Sequence, residues 1–176
     1  MKIAIVILNW NGLKHLKKFL PSVVKYSDKN PIYIIDNCST DNSVKFIKKY
    51  YPNIKLIINS KNYGYAKGYN LGLKEVKEEV YCLLNNDVQV TDGWLTPVIE
   101  EFDKNKSVVI AQPKILDFNE KDKFEYAGAA GGFIDYFGYP YCRGRIFNKL
   151  EKDKGQYDQN IDIFWASGAC FFIRKE

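Results

Sequence analysis

The chain has 176 residues, of which 46% are hydrophobic and 27% are charged, which is ordinary for a soluble globular protein. At this length we expect one domain, which buries about 70% of the surface that its unfolded chain exposes. The formal net charge of +5 comes mainly from scattered lysines, and no compact basic run is interleaved with aromatic residues, so nucleic acid is not an expected partner. Solvated helix faces explain such lysines, with attraction to a phosphate-bearing substrate or an anionic membrane surface as the alternative.

Cysteine and histidine usage excludes several kinds of site. Cys38, Cys82, Cys142 and Cys170 lie far apart and form no C-x-x-C pair, which argues against a zinc site and a disulfide framework. His15 is the only histidine, which argues against a histidine cluster or a Ser-His-Asp triad within this chain. No cleavable leader and no apolar run of about 20 residues is visible. We therefore expect a cytoplasmic protein, at most peripheral at the inner face of the membrane.

Strands and helices alternate along the first part of the chain. Continuous aliphatic runs predict buried strands, and 3.6-residue periodicity predicts helices. The predicted strands are 3–8, 32–35, 54–58, 80–84 and 108–111, and three of the predicted helices are 13–26, 44–48 and 93–103. The glycine-bearing stretch 62–72 leads into a further predicted helix, which ends near Glu78. Pro21 could kink or divide the first helix, and Ser39 or Asp41 is the expected cap of the second. This order predicts an α/β fold with a mostly parallel, Rossmann-like sheet and helices on both faces.

The composition of the sequence changes after Pro113. Residues 127–145 are rich in Gly and Tyr, which predicts a hairpin or a long loop. A polar loop is expected to follow as far as Asn160. Two closing strands are predicted at 161–165 and 169–173, on either side of Ser167 and Gly168.

Polar residues end three of the predicted strands, in the clusters 9–11, 36–41 and 85–87. Turn chemistry alone explains one such cluster, but three at the same sheet edge favour a ligand site. Asp36 could accept a hydrogen bond from a base or a ribose, a contribution of roughly 1.5–3 kcal/mol. Asp87 could bind Mg²⁺ or Mn²⁺, which would bridge to a diphosphate.

Three glycines, Gly64, Gly68 and Gly72, are spaced by four residues. They do not follow the dinucleotide-binding pattern, which belongs in the first strand-to-helix turn. Their spacing allows one helix to approach either the sheet or a ligand closely. Both alternatives remain open from the sequence.

Four segments together resemble glycosyltransferase family 2, and especially its rhamnosyltransferase-like members. They are I-V-I-L-N-W-N-G at 5–12, I-I-D-N-C-S-T-D-N-S at 34–43, N-Y-G-Y-A-K-G-Y-N-L-G at 62–72 and L-L-N-N-D at 83–87. The W-A-S-G-A segment at 165–169 also resembles the acceptor-side segment of that family. The resemblance therefore covers essentially the whole chain.

The resemblance implies a GT-A fold that binds a UDP- or dTDP-linked sugar and transfers it, with inversion, to a glycan or lipid-linked acceptor in polysaccharide biosynthesis. Residues 1–176 would form one such domain, with a nucleotide-sugar-binding part (1–112) and the start of an acceptor-side part (113–176). Asp87 would bind the divalent cation, and the acceptor side would include Trp165, Ser167 and Gly168. The donor-binding residues implied are Asn9, Trp10, Asn11, Asp36, Asn37, Ser39, Asp41, Asn62, Gly64, Lys67, Gly68, Asn70, Asn85 and Asn86.

Two departures from the family pattern qualify this assignment. Asn85 replaces the first acid of the family's D-X-D element, which leaves Asp87 as the principal metal ligand. The family's catalytic base lies in an E-D motif downstream of W-x-S-G-A, and no E-D pair occurs up to Glu176. We therefore expect the chain to be truncated before its base, with no catalytic residue assigned. The alternative is a module that binds the nucleotide sugar without transferring it. A third possibility, a nucleotidyltransferase, requires a Gly-rich first loop with a basic residue, and residues 9–14 match that pattern poorly.

The remaining charged candidates lie downstream of Pro113. Asp135, Asp158 and Asp162 are carboxylates that are equally well explained as solvated loop residues. Arg143 and Arg145 could clamp a phosphate or an acidic acceptor, but an exposed hairpin tip is the preferred interpretation of this pair.

Overall fold

The computed structural model describes residues 1–175, and contacts between residues divide the chain into two compact units. The first unit is Met1–Val109 together with the segment that begins at Phe172, and the second is Ile110–Phe171.

The first unit is a parallel sheet with helical connections. Its strands are β1 (Ile3–Asn9), β2 (Ile32–Asp36), β3 (Lys55–Ile58) and β4 (Val80–Leu84), arranged in the order β3-β2-β1-β4. Its helices are α1 (Leu13–Tyr26), α2 (Ser43–Tyr50), α3 (Tyr65–Gly72) and α4 (Thr96–Lys104). All the pairings among these four strands are parallel, which confirms the predicted sheet.

Strand register places the carboxyl ends of β1, β2 and β4 at one edge of the sheet. Asn9 is opposite Asp36, and Ile7 is opposite Leu84. Ile3, Ile5 and Ile7 are at most 1% exposed, as are Ala4 and Val6 on the other face of β1. Burial of both faces explains why this strand is a continuous aliphatic run without alternation.

Several details of the helices differ from the predictions, and α4 begins at Thr96 rather than at 93. α1 continues through Pro21 without division, although proline removes one backbone donor. The cap position of α2 is Asn42, so the prediction of Ser39 or Asp41 at that position was wrong, although Asp41 Oδ1 accepts a hydrogen bond from Ser43 N at 2.9 Å. α3 ends at Gly72 and is followed by a 3-10 turn (Leu73–Glu75), so the helix ends earlier than the predicted end near Glu78.

The second unit is built from short strands and loops. It contains β5 (Ile110–Ala111), β6 (Gly132–Ile134), β7 (Pro140–Cys142), β8 (Arg145–Ile146) and β9 (Lys149–Leu150). β6 and β7 form the predicted hairpin, and β8 and β9 form a second hairpin inside the segment predicted as a loop. Phe124, Ala129 and Ala130 form a small buried core with Tyr157 packed against it.

The strand predicted at 161–165 was wrong. Only Trp165 pairs there, through a single bridge to Gly132, because the segment lacks a neighbouring strand over the rest of its length. The second predicted closing strand is present as β10 (Cys170–Arg174), which passes into the first unit and lies beside β4 in the sheet.

None of the helices among residues 1–175 is both long enough and apolar enough to cross a membrane.

Gly72 is expected to be essential for the packing of α3 on the sheet. A Cβ atom at this position would lie 2.3 Å from Ile35 Cδ1 and 2.5 Å from Ile35 Cγ1. Because Ile35 is fully buried, Gly72→Ala should lower the free energy of unfolding by about 1–3 kcal/mol. Urea unfolding measures this. Asn70→Ala, at an exposed position of the same helix, is the control and should change stability by less than about 0.5 kcal/mol.

Candidate functional site

The side chain of Asn9 connects the ends of three strands. It is fully buried, and its Nδ2 donates to Asp36 Oδ2 at 3.0 Å and to Ser39 Oγ at 3.2 Å. Its Oδ1 accepts a hydrogen bond from Asn86 Nδ2 at 3.1 Å. The predicted clusters 9–11, 36–41 and 85–87 are therefore joined at one edge of the sheet.

Asp36 is also fully buried, and both of its carboxylate oxygens have protein partners. Oδ2 binds Asn9 as described, and Oδ1 accepts a hydrogen bond from Ser39 N at 2.8 Å. A buried carboxylate needs such donors to offset its desolvation. In this arrangement Asp36 orders the loop that follows β2, and contact with a nucleobase stays a prediction.

Gly12 is a site residue that the sequence analysis did not select. A Cβ atom here would lie 2.3 Å from both Asn86 Nδ2 and Asn9 Oδ1, the two atoms of the hydrogen bond that links β1 to β4. Only glycine leaves room for that bond. The available signal was its position directly after the strand-ending N-W-N triplet.

Asn11 and Asp41 hold the two loops of the site together. Asn11 has a φ of +49°, and its Oδ1 accepts hydrogen bonds from Thr40 N at 2.7 Å and Asp41 N at 3.2 Å. Asp41 Oδ2 accepts a hydrogen bond from Leu13 N, the first residue of α1, at 3.0 Å, and Oδ1 binds Ser43 N at the start of α2. One carboxylate therefore accepts a hydrogen bond from the first residue of each of the two helices.

Asn37 ties the β2 end to the loop before α3. Its Nδ2 donates to Asn62 Oδ1 at 2.8 Å and to the Gly64 carbonyl at 3.0 Å. Its Oδ1 accepts hydrogen bonds from Tyr63 N at 3.2 Å and from Asn59 Nδ2 at 3.0 Å. Asn59 is 7% exposed and was missed in the sequence, where it is a lone polar residue after a strand.

The glycines at four-residue spacing have different roles. Gly64 has a φ of +74°, which disfavours a side chain, and an added Cβ would meet open space. At Gly68 an added Cβ would lie 3.0 Å from Asn37 Nδ2 and 3.2 Å from Leu8 Cδ1. Gly68 and Gly72 therefore let α3 pack closely on the sheet, which was one of the two alternatives.

The remaining donor-side candidates form an exposed rim around this buried network. We define the rim as Trp10, Lys67, Asn70, Asn85 and Asp87. Trp10 is 55% exposed, and Lys67, Asn70 and Asp87 are exposed, whereas Asn85 is half-buried. Lys67 Nζ lies 5.1 Å from the centroid of the Tyr63 ring. The rim side chains can thus meet a ligand without disturbing the network.

The chemistry of the donor groups around Asp87 fits a hard divalent cation that is shared with a phosphate ligand. No group of three or more His, Cys, Asp or Glu that could hold a metal is found within residues 1–175. Asp87 offers one exposed carboxylate, and the two residues before it in the chain, Asn85 and Asn86, each carry an amide oxygen. Mg²⁺ commonly binds through one or two carboxylates and completes its shell with substrate phosphates and water.

The acceptor-side candidates belong to the second unit. Trp165 is half-buried, and its Nε1 donates to the Phe133 carbonyl at 2.8 Å. Ser167 is 6% exposed, its N donates to Gln112 Oε1 at 2.5 Å and its Oγ donates to the Ala127 carbonyl at 3.0 Å. Gly168 is exposed. Trp165 and Ser167 thus organise the loops of this unit, and Gly168 leaves its backbone accessible.

The arginine pair is not at a hairpin tip, so the preferred interpretation was wrong. Arg143 Nε donates to the Ala130 carbonyl at 2.8 Å, and the Arg145 guanidinium lies 4.0 Å from the Tyr126 ring centroid. Both side chains are half-buried because these contacts draw them onto the body of the unit. Asp135 Oδ1 accepts hydrogen bonds from the backbone in its own turn, and Asp158 pairs with Lys114.

The hydrogen bonds at Asp41 make the stability of the chain depend on pH. Partial burial raises the pKa of Asp41, but the hydrogen bonds from Ser43 and Leu13 outweigh it and hold the pKa below the usual 3.8. The ionised form therefore stabilises the folded state above about pH 4, and this contribution is lost as the pH falls through the lowered pKa.

Asp41→Asn should therefore be less stable than the unmodified chain at neutral pH, and the difference should shrink below about pH 4. Urea unfolding between neutral and acidic pH measures it. Asp92→Asn, at an exposed position, is the control. A difference that stays constant down to the lowest pH would contradict the role given to the Asp41 carboxylate.

The sequence of the chain matches the model of one protein family. The family model described as "Glycosyl transferase family 2" matches residues 4–176. An N-acetylglucosaminyl-diphospho-decaprenol L-rhamnosyltransferase of Mycobacterium tuberculosis is 22% identical, over 97% of this chain and 61% of its own length. Across the curated relatives that match, the chain spans between 14% and 61% of the relative's length.

Two solved structures share the fold. Staphylococcus aureus TarS 1-349 in complex with UDP-GlcNAc superimposes with a TM-score of 0.59 and 21% identity, over 72% of this chain and 39% of the other. GalNAc-T7 with UDP, GalNAc and Mn²⁺ gives a TM-score of 0.69 and 16% identity, over 99% of this chain and 35% of the other. The chain therefore has the GT-A fold and belongs to glycosyltransferase family 2.

Proposed function

We propose that this chain is the donor-binding, catalytic part of a glycosyltransferase that moves a sugar from a nucleoside diphosphate to a glycan or a lipid-linked hydroxyl, with inversion at the anomeric carbon. The observation that carries the proposal is the buried network around Asn9 and Asp36 at the carboxyl edge of the sheet. Ligands of open α/β sheets bind at that edge. Family membership supports the reaction class.

The donor would lie over the network and against the rim. Asn9, Asp36 and Asn37 act as positioning residues, because they are buried and hold the loops that face the edge. The exposed Lys67 ammonium would attract the diphosphate, and the Trp10 side chain would add an apolar contact. TarS and GalNAc-T7 are described with UDP-GlcNAc and UDP, which favours a UDP-linked sugar here, with dTDP as the alternative base.

Asp87 would hold Mg²⁺ or Mn²⁺ together with the donor phosphates. When bound, the cation neutralises the negative charge that develops on the leaving diphosphate. The Mn²⁺ in the GalNAc-T7 structure supports this assignment by similarity.

In the proposed reaction the acceptor oxygen forms a bond to the anomeric carbon while the bond from that carbon to the phosphate oxygen breaks. The diphosphate leaves with the bonding electrons, and the acceptor proton passes to a general base. We propose that the backbone around Gly168, supported by Trp165 and Ser167, faces the acceptor. The base is not assigned to a residue.

A donor-binding module without transfer is the second candidate. The observation that favours it is that two of the downstream candidate carboxylates already have protein partners, because Asp135 holds a turn and Asp158 pairs with Lys114. Either function suits a cytoplasmic protein at the inner face of the membrane in polysaccharide biosynthesis, which we include in the proposal.

Asp87→Ala should abolish the dependence of nucleotide binding on a divalent cation. Calorimetric titration with UDP and with dTDP, each with and without Mn²⁺, measures this directly. Asp92→Ala, which removes an exposed carboxylate five residues away, is the matched control and should keep the Mn²⁺ effect. An Mn²⁺ effect that survives in Asp87→Ala would remove Asp87 from the site.

Asp36→Asn should weaken UDP binding by about tenfold or more, because an unsatisfied buried donor costs about 1–3 kcal/mol and would release the loop after β2 that faces the proposed donor site. One amide nitrogen would face either Asn9 Nδ2 or Ser39 N, so a donor would meet a donor in a buried position. The titration is made well below the thermal midpoint of the variant, which is measured by circular dichroism. Unchanged affinity would show that the network does not support the donor site.

A further inference from the structure

The positive charge of the chain is concentrated on two neighbouring helices. α1 contains Lys14, Lys17, Lys18 and Lys25, α2 contains Lys45, Lys48 and Lys49, and neither helix contains an acidic residue. The chain has 26 basic and 21 acidic residues, and all 21 acidic residues lie outside these two helices. When the seven lysines are subtracted from the 26 basic residues, the rest of the chain has a net charge of −2. The excess of +5 is therefore located entirely on this pair of helices.

The lysines lie on the exposed sides of both helices. At 3.6 residues per turn the four lysines of α1 fall within a sector about 100° wide, and the three of α2 fall within a sector of similar width. All seven are exposed, whereas Leu16, Leu20 and Ile47 face the sheet and are at most 1% exposed. This arrangement exceeds what scattered solubilising lysines require.

The two helices present their lysines on one side of the first unit. α1 connects β1 to β2 and α2 connects β2 to β3, and both steps move in the same direction across the sheet. With right-handed crossovers, both helices lie on the same face. They also touch, because Lys17 Nζ lies 6.0 Å from the centroid of the Phe46 ring.

A groove of about 530 Å³ opens beside α2 and combines charged and aromatic groups. Its lining includes Lys17, Lys45, Phe46, Lys49, Tyr50 and Tyr51. Tyr50 is 59% exposed and Val24 of α1 is 41% exposed. Lysine heads on flexible stems next to tyrosines are the composition found where proteins meet lipid headgroups.

We propose that the face formed by α1 and α2 docks on an anionic phospholipid bilayer. Two adjacent helices with lysines on a shared side match an extended negative surface, and each lysine close to such a surface contributes about fivefold in binding. The proposal rests on the peripheral location included in the proposed function, but it does not depend on sugar transfer.

Vesicle co-sedimentation tests the proposal. The unmodified chain should bind vesicles of phosphatidylglycerol mixed with phosphatidylcholine, but not vesicles of phosphatidylcholine alone. Binding should weaken between ionic strengths of about 0.1 M and about 1 M, as the Debye length falls from about 10 Å to about 3 Å.

The variant Lys17→Gln/Lys45→Gln/Lys49→Gln should bind the anionic vesicles about 100-fold more weakly. Lys121→Gln/Lys149→Gln/Lys154→Gln removes the same charge from exposed positions of the second unit and should bind like the unmodified chain. Circular dichroism confirms that both variants fold.

Equal loss of binding in the two triple variants would overturn the proposal, since net charge alone would then explain it. Binding to an RNA homopolymer without binding to anionic vesicles would also overturn it. A parallel titration with UDP separates the two proposals. A chain that binds UDP but not vesicles loses the docking face and the peripheral location but keeps the proposed donor binding. A chain that binds vesicles but not UDP keeps the docking face and loses the proposed donor binding.

Discussion

The site depends on one buried side-chain amide. Asn9 has no access to water, so its donors and its acceptor must find partners within the protein, and they find them on Asp36, Ser39 and Asn86. Loss of such a partner leaves a buried polar atom unsatisfied, at a cost of about 1–3 kcal/mol. The requirement fixes the loops after β1, β2 and β4 relative to one another before any ligand arrives.

The sequence predicted the sheet well because the physical signal was local. Strands buried on both faces are continuous aliphatic runs, and the run at Ile3–Asn9 needs no information from elsewhere in the chain. The segment 161–165 has the same local character, but a strand also requires a partner edge. Only Trp165 finds one, on Gly132, and no local pattern could indicate that.

Part of the site could also be predicted, for a different reason. Polar residues directly after buried strands meet at one edge whenever the strands are parallel, so Asn9, Asp36 and Asn86 could be placed together from the sequence. Their burial could not be predicted, because it results from contacts between segments far apart in the chain. Gly12 was missed because its importance comes from atoms of Asn86, more than 70 residues away.

The separation between a buried network and an exposed rim has a consequence for mutating the proposed donor site. At Gly12 an added Cβ would lie 2.3 Å from two atoms of the network, and at Gly68 it would lie 3.0 Å from Asn37 Nδ2, so substitution at either position changes the framework itself. Trp10, Lys67 and Asn70 are exposed, so a change of side chain at these positions leaves the packing of the framework unaltered. A library confined to these three rim positions would therefore test the proposed donor site on a backbone that remains intact.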